Sequence, residues 1–454
     1  MTTTAPVDDP TASPAGGPVE GAEQARHVPH RWRNLATLTG VTVVDSTEAG
    51  LTTTLFPTIS AALRLNTGQL GMLAALGKLV AVPFGPGWVW LAGRTSRRTA
   101  LIAATVAGGV FGIIAGFAND FTHLLIANTL MAACIIGAGP ISNSIISDSF
   151  DDAHRGRAVG YFYGISALLG SFIGPLVAQL SGFSDGWRYG MWAIGAICIL
   201  AGLGILVFYR EPGIGAAERQ LADLSSKDRR GQKVTFASVL SLFKIPTFSI
   251  MMASRLLSGH LLIAVFGVQF LVTERGFTNA VAALVLLPFG VGYFAGTVGG
   301  GWIVTLLDRV LPRRGRVAFI QCAQILFAVI AFFGTQFHYS EIGVYAVFWA
   351  LMGFAQGLNP GVNRPIVMSV VLPELRGQAF AIFLTVFETI GWALFSLGAG
   401  VLAESLGIQT VFLWILVGLM LVNAVVLSAL YVTYPKDRAR VTDELEERRA
   451  AALS

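Results

Sequence analysis

The sequence RGRA at residues 155–158 follows the fourth long apolar run of this chain, and the similar sequence RGQA at residues 376–379 follows the tenth. In the same way, Arg94 after the second run corresponds to Arg309 after the eighth. Both offsets are close to half of the region that holds the apolar runs. The chain is therefore predicted to contain two homologous halves of six helices each.

The composition predicts a surface that faces lipid. Of the 454 residues, 54% are hydrophobic and only 13% are charged, whereas soluble domains usually carry about 25% charged residues. The 52 glycines allow membrane helices to approach closely. The three cysteines lie in separate apolar runs without the spacing of a disulfide framework or a metal site. This composition excludes an ordinary soluble domain.

Twelve apolar runs are each long enough to cross a hydrocarbon core of about 30 Å. We expect an all-α polytopic membrane protein with twelve transmembrane helices in two pseudo-symmetric six-helix bundles. The runs cover residues 34–61, 68–92, 99–117, 122–149, 157–180, 188–209, 244–273, 279–306, 316–336, 341–371, 377–404 and 409–434.

The basic residues predict the orientation of these helices. Of the 31 Lys and Arg residues, only Arg64, Arg188 and Arg275 fall in loops on one side, and three more lie inside helices. The others fall on the side that carries both termini. By the positive-inside rule both termini are cytoplasmic, and the expected location is the bacterial plasma membrane.

Five segments follow from this count. They are a disordered cytoplasmic tail at 1–30, an N-terminal bundle at 31–210, a cytoplasmic linker with an interfacial helix at 211–243, a C-terminal bundle at 244–435 and a cytoplasmic tail at 436–454. The C-terminal tail is predicted as a solvated helix with ion pairs such as Glu444–Arg448.

The loop sequence LAGRTSRR at residues 91–98 is similar to the signature G-x-L-A-D-R-x-G-R-[RK] of the major facilitator superfamily. Val89, Gly93 and Ser96 stand where that signature has Gly, Asp and Gly, but the second copy keeps its acid in Asp308-Arg309. Two six-helix halves with a long central loop also resemble this family, over residues 31–435. The resemblance implies transport by alternating access, with gating roles for Arg94, Arg97, Asp308 and Arg309.

The fifth run contains Gly170-x-x-x-Gly174-Pro175, which is similar to a segment of proton-driven exporters but lacks their trailing glycine pair. This resemblance implies a gating role for the three residues, and generic helix packing is the alternative. The arginine of many drug–proton exporters is absent from the fourth helix, where Ala133 takes its place. A likeness to spinster-type lipid transporters rests on no specific motif.

Six charged residues lie inside the predicted membrane helices. A charge at the centre of such a helix costs about 2.5–3.5 kcal/mol on insertion scales, so each needs a partner or a water-lined cavity. The six are Asp45, Glu48, Lys78, Arg255, Arg364 and Glu388.

Three of these charges form a group in the first half. Asp45 lies about 15 Å into the first helix, near the midplane, and Glu48 is three residues further on the same face. Lys78 lies at a similar depth in the second helix. We predict that one carboxylate pairs with Lys78 while the other carries the proton. A static ion pair that fixes helix 1 against helix 2 is the alternative.

The tenth helix carries an amide face interrupted by Gly and Pro residues, a pattern typical of broken transporter helices that line a cavity. The amides are Gln356, Asn359 and Asn363. Arg364 lies beside them and suits a carboxylate or phosphate, because its fork donates two parallel hydrogen bonds. The repeat places it opposite Asn143 of the fourth helix, which has a matching break. Neutralising Glu388 or an acidic loop residue is its alternative role.

The remaining candidates lie in the second half. Glu388 is predicted either to relay protons or to pair with Arg255 or Arg364. Arg255 lies at the depth of Arg364 and is a second candidate substrate contact. His260 occupies roughly the repeat-equivalent place of Asp45, as a titrating group or as a hydrogen-bonded packing residue.

These observations predict a proton-coupled secondary transporter that exports a small amphipathic organic compound by antiport. The alternative is proton-coupled uptake of an organic anion, for which Arg255 and Arg364 are the motivation. The expected partners are the substrate, protons and membrane lipid, with no cofactor, metal or nucleic acid, and the chain is expected to act as a monomer. No catalytic motif appears, so an enzyme is not expected. A channel or a transporter-like sensor is a third class.

Overall fold

The computed structural model describes residues 28–65, 67–183, 185–221, 224, 234–278, 281–282, 284–311 and 314–454. All regular structure in these residues is helical. The predicted N-terminal tail lies outside the described residues except for 28–30. We number the membrane helices as spans 1 to 12.

The first half contains spans 1 to 6. They are span 1 (Arg31–Thr54 and Phe56–Leu63), span 2 (Thr67–Leu79 and Ala81–Arg94), span 3 (Arg97–Gly116), span 4 (Phe121–Ile135 and Ala138–Ser149), span 5 (Asp152–Ala178) and span 6 (Gly186–Phe208).

The second half contains spans 7 to 12. They are span 7 (Pro246–Leu256 and Leu262–Thr273), span 8 (Leu286–Val310), span 9 (Gly315–Gln336), span 10 (Ile342–Gly357 and Pro360–Val370), span 11 (Arg376–Ala381, Ile382–Phe387 and Glu388–Leu406) and span 12 (Ile408–Phe412, Leu413–Leu419 and Met420–Leu427).

Ten helical runs of the described residues are long and apolar enough to cross a membrane. Spans 1 and 5 are not among them. Span 1 carries Asp45, Glu48 and several threonines, which lower its apolar character. Together with these two helices, the runs make up the predicted twelve, and the predicted all-α fold class is confirmed.

The predicted breaks in the fourth and tenth helices are confirmed. Span 4 is interrupted between Ile135 and Ala138, and span 10 between Gly357 and Pro360. Both breaks lie at clusters of Gly and Pro, because proline lacks an N–H group and clashes with the preceding turn. These two breaks face the same space between the halves.

The halves meet chiefly where span 5 packs against span 8, with smaller contacts between spans 5 and 10, spans 4 and 11, and spans 2 and 11. Glycines allow the approach of spans 5 and 8. A Cβ atom on Gly160 would stand 2.6 Å from the Thr297 carbonyl oxygen, and one on Gly301 would stand 2.6 Å from the Gly156 carbonyl oxygen. No side chain fits at such distances, so these glycines set the spacing between the halves.

We expect Gly160→Ala to lower the thermal unfolding midpoint of the purified protein, because an extra methyl group against a backbone oxygen typically costs about 1–3 kcal/mol. Gly170→Ala is the matched control on the same span, since its Cβ would meet nothing within 4 Å. Equal midpoints for the two variants would contradict the packing assigned to Gly160.

The linker and the C-terminal helix lie against the bundle. A short helix, Phe236–Leu240, stands where an interfacial helix is predicted, and its Phe236 and Leu240 side chains are exposed. The final helix, Leu430–Leu453, contains the predicted Glu444–Arg448 pair at 3.6 Å.

The predicted solvated helix packs against the linker on one side. Its Val441 and Leu445 are buried against Leu221 of the linker. The two residues are four positions apart and therefore form one apolar stripe on the helix. Charged residues surround these two apolar residues in the sequence, so the stripe is not recognisable from the pattern alone.

Candidate functional site

A central cavity of about 390 Å³ lies between the two halves. Spans 1, 4 and 5 line it on one side, and spans 7, 8, 10 and 11 on the other. Its polar lining residues are Thr42, Asp45, Ser46, Tyr163, Arg255, His260, Tyr293, Gln356, Asn359, Asn363, Arg364, Thr385 and Glu388. The cavity therefore collects most of the candidates predicted from both halves.

Asp45 and Glu48 face different surroundings. Asp45 lines the cavity, where its Oδ2 atom lies 3.4 Å from the Thr105 hydroxyl and its Oδ1 atom has no hydrogen-bond partner in the described part of the chain. Glu48 is fully buried between spans 1, 3 and 6, against Gly112 and the Cys198 thiol. Residues three apart on a helix differ in direction by about 60°, which is enough to separate the two carboxylates.

Lys78 does not pair with either carboxylate, which corrects that part of the predicted group. Its ammonium lies 5.9 Å from the ring centroid of Trp392, and its side chain is exposed. The described residues contain no ion pair that involves it. The physical reason is that span 2 packs across the halves against span 11, so Lys78 faces the second half.

Arg255 and Arg364 occupy contrasting positions in the cavity. Arg255 forms an ion pair with Glu388, one of the two roles predicted for that carboxylate. Arg364 forms no ion pair among the described residues, and its Nη1 atom donates to Asn363 Oδ1 at 2.9 Å. Its guanidinium lies 3.9 Å from the ring centroid of Tyr163. One buried cation of the cavity is thus left without a counter-charge.

The amide residues divide into lining and supporting groups. Gln356, Asn359 and Asn363 line the cavity, although the Asn359 Oδ1 atom already accepts from Gln324 Nε2 at 2.5 Å. Asn143 is not a lining residue and donates to the Tyr163 hydroxyl at 2.7 Å. Asn143 and Arg364 therefore meet through Tyr163, as the repeat alignment suggests by placing them opposite each other.

His260 lines the cavity beside the Arg255–Glu388 pair. Its ring packs edge-on against Phe327 with centroids 5.9 Å apart. The Nδ1 atom has no hydrogen-bond partner within the described ranges. His260 therefore lies at the cavity with an unpaired ring nitrogen, and its role as a titrating group stays a prediction.

The end of the bundle opposite the opening of the cavity is rich in arginine. We call this the arginine-rich end, defined by Arg97, Arg155, Arg316 and Arg376, and it is the end predicted to be cytoplasmic. Here both repeat arginines bind one linker carboxylate: Glu218 Oε1 lies 2.5 Å from Arg155 Nη2 and 2.6 Å from Arg376 Nη1. Burial raises the pKa of the Glu218 carboxyl, but the two guanidinium groups outweigh it and lower that pKa to about 2.

The predicted gating residues have mixed outcomes at this end. Arg97 binds Asp148 and Glu211, whereas Arg94 lies 3.9 Å from the ring centroid of Trp90 and has no ion pair in the described segments. In the second half Asp308 is paired by Arg316 at 2.6 Å. Arg309 is exposed.

Asp308 therefore pairs with Arg316 and not with the adjacent Arg309. Arg316 also binds Asp152 of the first half at 2.9 Å, so this cluster links the two halves. The sequence offered only a weak signal for it, because Arg316 lies eight residues beyond Asp308 and Asp152 belongs to the other repeat. For Gly170 a Cβ atom would meet nothing within 4 Å, and the side-chain surroundings of Gly174 and Pro175 lie outside the described set.

This conformation is closed at the arginine-rich end. Phe150, Val370 and Phe380 are buried there in a core to which both halves contribute, and Arg376 is buried as well. At the cavity, Ser46 and Ala49 are exposed. The cavity is therefore reached from the opposite end.

Comparison with known proteins gives concordant results. Residues 38–335 and 306–454 match a family model described as Major Facilitator Superfamily. The chain is 25% identical over 395 residues to the "Probable 4-methylmuconolactone transporter" of Cupriavidus pinatubonensis, covering 80% of this chain and 89% of that protein. It is 25% identical over 360 residues to "Multidrug resistance protein MdtG" of Rahnella sp., covering 77% and 80%.

A solved structure has the same fold. The proton:xylose symporter XylE bound to 6-bromo-6-deoxy-D-glucose superposes with a TM-score of 0.68 at 13% identity, covering 91% of this chain and 96% of that chain. At this identity the likeness concerns the fold alone.

Proposed function

The chain belongs to the major facilitator superfamily, and from that premise we propose that it is a proton-coupled secondary transporter that carries an organic anion through the central cavity by alternating access. The observation that carries the proposal is the combination of lining charges. One cavity holds the carboxylate of Asp45, which can accept a proton, and the unpaired guanidinium of Arg364, which can bind an anion.

The balance of these charges couples the two ligands. Arg255 and Glu388 neutralise each other, so with His260 neutral the remaining lining charges are those of Asp45 and Arg364. While Asp45 is ionised, the cavity carries no net charge and an entering anion makes it negative. Protonation of Asp45 leaves one positive charge, which the anion neutralises. Proton and anion therefore favour each other's binding, and such coupling is reciprocal.

Mutual stabilisation of this kind favours transport of proton and anion in the same direction. The cavity that holds both proton and anion and the empty cavity are the two states without net charge. A change of conformation costs the least free energy in these two states, because the interior has a low dielectric constant. We therefore favour symport, which is the alternative predicted from the sequence. The conformation closed at the arginine-rich end then corresponds to the state that binds substrate from outside.

Proton-driven export of a small amphipathic compound is the second candidate. The similarity to the multidrug resistance protein favours it. So does the apolar part of the cavity lining, which includes Ile135, Ile136, Leu261 and Leu384. In that case the proton and the compound exchange across the membrane.

Vesicles that contain the purified protein and a trapped pH-sensitive dye distinguish the two candidates. With gluconate or 4-methylmuconolactone added outside, symport is expected to acidify the lumen. With ethidium added outside, antiport would instead make the lumen more alkaline. Protein-free vesicles are the control. Alkalinisation with ethidium together with no response to the organic acids would contradict the proposed symport.

A further inference from the structure

We infer that the cavity selects a compact, hydroxylated monocarboxylate, with the carboxylate on Arg364 and the hydroxyl groups on unpaired polar atoms of the other lining residues. This inference rests on the proposed function and narrows its substrate class. Four observations carry it: the charge count, the geometry of Arg364, the unpaired acceptors and the size of the cavity.

The charge count favours a single negative charge. Among the described lining residues, Arg364 is the one cation without an ion pair, because Arg255 is bound to Glu388; Lys78 interacts with Glu388 at longer range but is not a lining residue. A phosphate monoester carries about −1.5 to −2 at neutral pH, and a dicarboxylate carries −2. Either would place at least a further half charge beside Asp45 without a second unpaired lining cation to balance it. A monocarboxylate matches the single available guanidinium.

The geometry of Arg364 favours a planar carboxylate. Its guanidinium is stacked on Tyr163 at 3.9 Å from the ring centroid, and Asn143 fixes that tyrosine through its hydroxyl. Nη1 donates to Asn363 Oδ1, which sets the rotation of the guanidinium in its plane. An arginine fixed in this way presents its remaining N–H groups along one edge, where a carboxylate can bind with two parallel hydrogen bonds.

The unpaired acceptors favour hydroxyl groups on the body of the substrate. The Gln356 Oε1 atom, the Asp45 Oδ1 atom and the His260 Nδ1 atom belong to lining residues and lack hydrogen-bond partners in the described chain. The Gln356 and Asp45 oxygens are acceptors, and His260 Nδ1 accepts or donates according to its tautomer. Buried acceptors without a partner are unfavourable, and a carboxylate offers them no donor. Hydroxyl groups supply the missing donors, whereas an aliphatic acid leaves the acceptors unpaired.

The cavity volume favours a compact molecule. About 390 Å³ lies near the lower end of the roughly 300–1,000 Å³ that is typical of small-molecule sites. The apolar residues Ile135, Ile136, Leu261 and Leu384 leave room for a carbon skeleton between the polar walls. A six-carbon sugar acid satisfies all four observations.

The test is equilibrium binding to the full-length protein in nanodiscs at one fixed pH, followed by tryptophan fluorescence. The probes are gluconate, its neutral amide gluconamide, hexanoate and 6-phosphogluconate. We expect gluconate to bind at least about tenfold more tightly than each of the others. Equal binding of gluconate and gluconamide would overturn the carboxylate assignment. Equal binding of gluconate and hexanoate would overturn the hydroxyl assignment. Tighter binding of 6-phosphogluconate than of gluconate would overturn the preference for a single negative charge.

Variants test the residue assignment. Arg364→Gln is expected to remove the preference for gluconate over gluconamide, and Arg364→Lys to weaken gluconate binding because it cannot form two parallel bonds. Arg33→Gln is the control with the same chemical change, at an exposed position of span 1. Because the amide comparison is made within each protein, it remains valid if a variant is less stable. An unchanged preference in Arg364→Gln would remove Arg364 from the site.

Failure of this inference is distinguishable from failure of the proposed function. Binding of gluconate without proton movement in the dye-loaded vesicles would overturn the coupling and leave the substrate class standing. Proton-coupled movement of a probe that lacks a carboxylate would overturn the substrate class and leave the coupling standing.

Discussion

Asp45→Asn is expected to abolish accumulation of an organic anion by a pH gradient while leaving exchange of the anion across the membrane intact. One proton per anion makes each unit of pH difference worth about 1.4 kcal/mol, or roughly tenfold accumulation. Asparagine keeps the size and polarity of the side chain but cannot take up a proton. The variant therefore resembles the permanently protonated carrier, and at zero membrane potential its accumulation ratio should fall to about one at any pH gradient.

Glu48→Gln is the matched control for this experiment. The two acids are three residues apart on span 1, but Glu48 is not a lining residue of the cavity and is buried between spans 1, 3 and 6. We expect it to keep most of the gradient-driven accumulation. The opposite pattern, with Glu48→Gln uncoupled and Asp45→Asn normal, would show that Glu48 carries the proton and would contradict the role proposed for Asp45.

Glu218→Gln is expected to shift the protein from the conformation closed at the arginine-rich end towards the one that is open there. In the closed state Glu218 is the shared partner of Arg155 and Arg376, each of which is only 1% exposed. Removing one partner of a buried ion pair costs up to about 3–5 kcal/mol, and Asp152 at 3.7 Å from Arg155 and Asp148 at 3.8 Å from Arg376 offset part of that cost. Water reaches these arginines once the halves separate, so the cost falls on the closed state and shifts the equilibrium by about tenfold or more.

The measurement is the maleimide labelling rate of a cysteine introduced by Ser147→Cys, in a background without Cys134, Cys198 and Cys322. Ser147 is fully buried at the arginine-rich end, so labelling reports opening. Glu211→Gln is the control, because its partner Arg97 lies in the same half. Equal labelling with and without Glu218→Gln would contradict a role for Glu218 in closure.

The same contact has a predicted pH dependence. The pKa of Glu218 is lowered to about 2 in the closed state, so its contribution is fully present above the ordinary carboxyl range and is lost only as the pH falls towards 2. Because maleimide reacts with the thiolate, the labelling rate at each pH is divided by that of the same protein unfolded at the same pH. Acidification from pH 8 to pH 5 should leave this ratio unchanged for the Ser147→Cys protein, and an increase of the ratio over that range would indicate another titrating group at this contact.

The parts of the fold set by local patterns were predictable from the sequence. Apolar length places most span ends to within a few residues, although the predicted twelfth run ends at 434 and span 12 ends at Leu427. The Gly and Pro clusters place the breaks of spans 4 and 10. The twofold repeat identifies Arg155 and Arg376 as equivalent. Each of these signals lies within one helix or recurs at a fixed offset, so no tertiary information is needed.

The partners of individual charges were not predictable in the same way. Lys78 has the expected depth, but span 2 faces span 11 of the other half instead of span 1. Glu48 differs from Asp45 by about 60° of helical rotation, which decides whether a carboxylate faces the cavity or the interior of a bundle. Glu218 lies in a polar linker without a helical pattern, and only the closed arrangement of both halves brings it between two arginines.

The most direct test of coupled transport is the accumulation ratio of labelled gluconate in proteoliposomes, measured as a function of an imposed pH gradient while the membrane potential is clamped at several values. A proton and a monoanion together carry no net charge, whereas each uncompensated charge would add about 2.3 kcal/mol per 100 mV. We expect roughly tenfold accumulation per pH unit towards the alkaline side, unchanged by the potential. Accumulation towards the acidic side, or a ratio set by the potential, would contradict it.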